Sequence, residues 1–294
     1  MFLRLAIFVV SLLVLPWVGA WLTGAQWDLP NGSEVNLPAT LLTSLALFFY
    51  VFILNHWLKR TQANAPLGSQ PRYFWAMAFT SALAGWLLVY LNSFVATWGG
   101  QSGFWLVQVL LFTPLFALLM PAVLLTRTVL GVLPNLLKRL ASGIPLPAPR
   151  RETLVLLGVA LSALGLLSGA AWSVSVVLFW LAPLLLLVTL QQLWHESTVF
   201  SALPNGDWGR VVIGALAGTL VGNLAVVSYQ ANGGTLDFAA PWLNQFGFIL
   251  FGWLTLQLGD VVAEFWRGTA RGNVFKTKKT FPIPVVVEKS NCRK

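Results

Sequence analysis

Arg210 to Tyr229 reads RVVIGALAGTLVGNLAVVSY. Its one charge is on its first residue. Gly214, Gly218 and Gly222 recur every fourth residue, so a helix places them on one face. About twenty residues, at roughly 1.5 Å of rise each, match a hydrocarbon core of roughly 30 Å. In lipid only a helix or a closed barrel satisfies its own backbone. The segment therefore predicts a transmembrane helix that packs through its glycines, inside an all-α polytopic bundle.

The rest of the 294 residues agrees: 57% are hydrophobic and 9% are charged, against about 25% charged in a soluble domain. The formal net charge is +9. On a soluble protein that would point to nucleic acid. Here the basic residues flank apolar runs, which points instead to a bilayer with an anionic cytoplasmic leaflet and away from nucleic acid. A single cysteine, Cys292, excludes an intrachain disulfide and a Cys-rich metal site. The only two histidines are His56 and His195, so haem held by two His requires them to converge. Nothing in the composition names a cofactor.

Outward from the opening segment, seven further spans are expected. They are residues 1–22, 38–58, 73–94, 104–126, 153–170, 172–194 and 242–265. The first has a second reading, a signal peptide: Arg4 gives a basic end, and Val18 and Ala20 suit cleavage. The uncleaved span is preferred. Pro114 and Pro121 should bend the fourth span, and Pro183 the sixth. All eighteen Lys and Arg then fall on one side, so both ends are expected in the cytoplasm. Trp17, Trp21, Trp57, Trp75 and Trp98 are among many Trp expected at the interfaces, the ordinary aromatic belt. The expected location is the cell membrane, as a multi-pass protein of bacterial inner-membrane type.

Residues 128–142 place Val129, Leu130, Leu133, Leu136, Leu137 and Leu140 on one side and Asn135, Lys138, Arg139 and Ser142 on the other. Two readings stand: an amphipathic helix in the headgroup plane, or a cytoplasmic extension of the fourth helix. IPLPAP follows, within a stiff linker at 144–151. The linker divides a first four-helix half, 1–143, from a second, 152–266, with a basic tail at 267–294. Ser81-Ala82-Leu83-Ala84-Gly85 matches Gly214-Ala215-Leu216-Ala217-Gly218 at an offset of 133 residues. At that offset the second span also lands on the sixth, and the fourth on the eighth. This suggests a tandem repeat of parallel orientation, with a ligand site or partner groove at the junction. Gly85, Gly214, Gly218 and Gly222 are the expected packing glycines.

Asp260 and Glu264 lie one turn apart near the end of the eighth span, where an ionisable group is a functional candidate. His56 and His195 end the second and sixth spans at the same side. Together the four are the candidate proton or ion site, by carboxylate or imidazole chemistry. A structural role is the competing reading, with Glu264 paired to Arg267 or Arg271 and Asp260 bonded to a neighbouring helix. Gln108, Asn223, Asn244, Gln245 and Gln257 suit helix–helix hydrogen bonds. The sequence holds no HExxH, Walker loop or GxSxG elbow, and no GxGxxG after a strand. Three functions are ranked. The first is a non-catalytic subunit or scaffold that associates with other membrane proteins or with itself. The second is a transporter or channel for a small or amphiphilic solute, coupled to protons through the carboxylates. The third is a membrane enzyme or quinone-linked redox subunit.

Overall fold

A computed structural model describes residues 2–23, 33–34, 36–62, 66–98, 101–102, 105–147, 149–168, 176–236, 238 and 240–267. Eight helices among them are long and apolar enough to cross a membrane. They are α1 (Phe2–Thr23), α2 (Leu37–Gln62), α4 (Pro71–Val95), α5 (Trp105–Gly131), α7 (Arg151–Ser168), α8 (Val176–Leu193), α9 (Gly209–Ala231) and α10 (Pro241–Arg267). Two short helices lie between them, α3 (Pro66–Ser69) and α6 (Pro134–Leu140). Ser33–Glu34 and Gln101–Ser102 form a two-residue parallel pairing beside this all-α polytopic bundle. The basic tail from 268, with Cys292, and the turn at 169–175 lie outside the described residues.

Local chemistry sets the helix ends. Pro71 opens α4, where its missing N–H is no loss. Ala96 closes it with φ 44°, its N–H reaching Asn92 O. The buried Asn92 side chain completes the turn: its Oδ1 accepts Thr97 N–H at 3.0 Å and its Nδ2 donates to Trp98 O at 2.9 Å. Residues 128–142 do not form one helix. α5 continues to Gly131, the chain breaks at Leu133 with ψ 98°, and α6 starts at Pro134 with no buried residue. Proline explains the break, since it forces its predecessor out of helical geometry.

The helices pack into one connected bundle. α7 lies on α8, α4 on α5, α9 on α10 and α2 on α5; α5 also meets α9 and α10. α1 packs on α7 and α8 and on α4. One apolar core gathers Phe8, Met77, Met120, Phe179, Leu187 and Leu254, and a second gathers Leu47, Leu58, Val123, Ala217 and Val221. Glycine decides how close α9 and α10 come. A Cβ on Gly218 would lie 2.6 Å from Gly252 Cα, and one on Gly214 2.6 Å from Leu256 Cδ1; Gly222 faces the Phe248 ring. Gly85 faces Phe116 of α5, whose Cβ would be 2.6 Å from an added methyl.

Ser81 fastens α4 to α5, the helix with two internal prolines. Its Oγ accepts Met120 N–H at 3.0 Å and donates to Phe116 O. Those two backbone groups would bond each other in an unbroken α-helix. Ser81 therefore sits astride the ladder of α5 between Pro114 and Pro121.

The two ends of the bundle differ. One end joins the starts of α1, α7 and α9 to the finishes of α8 and α10 through Arg4, Arg151 and Arg210. The opposite end joins the start of α2 to the chain after α9 through Asn36 Nδ2 and Gly233 O at 2.7 Å. There Trp98 also bridges Phe238. Long helices thus alternate in direction.

Candidate functional site

The basic end holds the candidate site. Arg210, the second residue of α9, forms an ion pair with Asp260 of α10. Both side chains are largely buried, 12% and 14% exposed. The glycine contact between α9 and α10 sets this pair, because it brings the two backbones close enough for a short carboxylate to meet the guanidinium. Glu264, one turn further along α10, is half-buried and also engaged.

A second ion pair joins Arg4 of α1 to Glu196, just after α8, with Glu196 6% exposed. The Arg4 guanidinium also lies over the Trp194 ring at 5.2 Å. Arg151 of α7 forms a third tie. It donates to Gln192 O at 2.8 Å, to Leu193 O at 3.0 Å and to His195 Nδ1 at 2.9 Å. Arginine only donates, so in this contact His195 accepts through Nδ1. His195 has φ 61°, which turns the chain out of α8.

His56 goes elsewhere. It is exposed on α2 and stacks on Phe52 with ring centroids 6.5 Å apart. The four residues predicted as one site therefore take different neighbours: Asp260 meets α9, His195 meets α7, and His56 stays on its own helix. Among the described residues no three His, Cys, Asp or Glu side chains come together to hold a metal.

A structured cap covers this end. Linker residues 141–147 bind the segment between α8 and α9. Gly143 N–H reaches Gly206 O at 2.9 Å, and Leu146 N–H reaches Leu203 O at 3.1 Å. Trp208 donates twice, from its backbone to Leu140 O and from Nε1 to Ile144 O, both at 2.9 Å. Gly206, with φ 75°, has Gly143 O 2.6 Å from the place of a Cβ, so only glycine fits. Between the cap and α5 lies a pocket of about 470 Å³. Arg127, Ser197, Ser201, Asn205, Asp207 and Arg210 line it, with Leu137 and Ile213 as apolar wall.

Several polar groups at this end lie inside the protein without a hydrogen-bonding partner among the described residues. They include Ser197 Oγ and both amide atoms of Gln191 in α8 and of Gln257 in α10. Gln191 and Gln257 are 2% and 0% exposed. The sequence reading named Gln257 but missed Gln191, Arg127, Ser197 and the pairing roles of Arg4 and Arg210. Their common signal is a polar residue within about two turns of a basic span end. Ordinary interfacial residues give the same signal.

Protein-family models, curated proteins and solved structures contain no match to this chain. The eight apolar helices make it a multi-pass integral membrane protein.

Proposed function

We propose that this protein is a non-catalytic subunit or scaffold of the membrane, one that associates laterally with other membrane proteins or with itself. One observation carries the reading. Asp260, Glu196 and His195, the groups suited to proton or metal chemistry, each contact an arginine from a different helix. Such pairs fix helix positions and occupy these three groups with contacts between helices. The docked linker and loop add a preformed surface at the same end.

Gentle extraction into lipid nanodiscs, followed by native mass spectrometry, tests this. A defined hetero-complex or homo-oligomer is expected. A protein that stays monomeric and partner-free at native abundance would end the proposal.

One observation favours a second reading, passage of a small polar solute. Gln191 and Gln257 bury complete amides inside the bundle, and each unmet amide costs about 1–3 kcal/mol. A polar path would repay that cost. Flux of small neutral solutes into proteoliposomes, abolished by Gln257→Leu, would move the assignment to transport.

A further inference from the structure

We infer, resting on the lateral association proposed above, that two copies of this chain meet through the outward face shared by α9 and α10, centred on the amides of Asn223 and Gln245. The spacing of α9 defines that face. Leu216, Leu220, Asn223 and Val227 recur at three and four residues, so they share one side of the helix. The three apolar residues are exposed, and Asn223 sits among them half-buried. On α10, Trp242 and Gln245 lie three residues apart and both are exposed. Two hydrogen bonds join the helices there. Asn223 Nδ2 donates to Gln245 Oε1, and Gln245 Nε2 donates to Asn223 Oδ1, both at 2.9 Å.

The amide pair is not saturated. Asn223 Nδ2 gives its second N–H to Thr219 O at 2.9 Å. Gln245 Nε2 makes no second bond among the described residues, and each amide oxygen accepts one bond where it can take two. Asn223 lies eight residues before the end of α9 and Gln245 four after the start of α10, so the pair sits about 6–12 Å inside the helix ends. Lipid tails at that depth offer an N–H no acceptor. A polar side chain on a transmembrane helix finds its partner on another helix.

The unused groups select a second copy. A donor and two acceptors complement themselves: the remaining Gln245 N–H of one protomer fits an amide oxygen of the other, and the reverse. Copies insert with one topology, so their amides lie at equal depth. A two-fold axis along the membrane normal then brings the face onto itself. No residue of the face is charged, so nothing on it repels its own copy.

The full chain carrying Cys292→Ser, in membrane vesicles, decides the matter. Val227→Cys and Leu164→Cys each place a thiol four residues before the end of a helix, at positions 61% and 57% exposed. Leu164 belongs to α7, which packs on α8 and α1. Copper-phenanthroline oxidation should link Val227→Cys into a homodimer and leave Leu164→Cys monomeric. Asn223→Leu with Gln245→Leu removes both amides together, so the fold should survive, as checked by melting temperature. The dimer dissociation constant in detergent should rise about tenfold in that variant. Should the variant fail to fold, the cross-linking decides alone. Equal linking of both cysteines, none at Val227→Cys, linking of Val227→Cys only to a different protein, or a folded double variant with unchanged affinity overturns the proposal. In each of those cases an oligomer or hetero-complex in native mass spectrometry leaves lateral association standing through another face or partner, whereas a strictly monomeric, partner-free protein ends both.

Discussion

Asp260 and Arg210 pair across the α9–α10 contact with little exposure. Removing one partner leaves a buried charge, whereas removing both leaves an apolar contact. Asp260→Leu should therefore destabilise the protein by about 3 kcal/mol. Asp260→Leu with Arg210→Met should recover most of that loss. Thermal unfolding of the three proteins in one detergent measures the difference; equal losses in single and double variants would deny the coupling. The glycines of the same contact allow a sharper comparison. Gly218→Leu must push Gly252 and Phe248 away, while a Cβ at Gly247 meets nothing within 4 Å. Gly218→Leu should abolish folded protein on size exclusion. Gly247→Ala should be neutral or gain about 0.5–1 kcal/mol, since alanine is the better helix former.

Helix α5 is held by its neighbour as much as by its own prolines. Ser81→Ala removes the hydroxyl that bridges Phe116 and Met120. The variant should lose about 1 kcal/mol of stability. Thermal unfolding in one detergent measures it; an unchanged midpoint would show that the Ser81 bridge adds nothing to the α4–α5 contact. The elements were legible in sequence to different degrees. The eight spans could be read because a long uncharged apolar run in lipid has one backbone solution. Residues 128–142 misled because their apolar spacing continues across Pro134, whose effect on Leu133 is local. The site was legible only in part. Asp260 stood out as a carboxylate near a span, but its partner Arg210 belongs to another helix, and pairing between helices leaves no trace in residue spacing. Gln191 was invisible for a related reason: its burial comes from neighbouring helices, and the residues around it in sequence read as an ordinary interfacial helix end.

At the scale of the molecule, the contacts do not divide at the linker. α1 packs on α7 and α8, and α5 on α9. Residues 1–143 expressed alone should therefore be degraded or aggregate, and co-expression with 144–294 should restore a complex that migrates as the intact protein. A stable, monodisperse 1–143 fragment would show that the first half stands by itself. Cysteines placed singly at Gly143 and Gly233, in the Cys292→Ser background, should label from opposite faces of sealed vesicles, with Gly143 reached from the cytoplasmic face. The tie between Arg4 and Glu196 bears on how the protein is made. Glu196 is translated 192 residues after Arg4, once six of the eight spans have been made. Until α7 and α8 are made, α1 has only α4 among its lasting neighbours. The nascent chain is thus a client for any insertase or chaperone that shelters unpaired helices, and a ribosome stalled before α8 releases a product ready for membrane proteolysis.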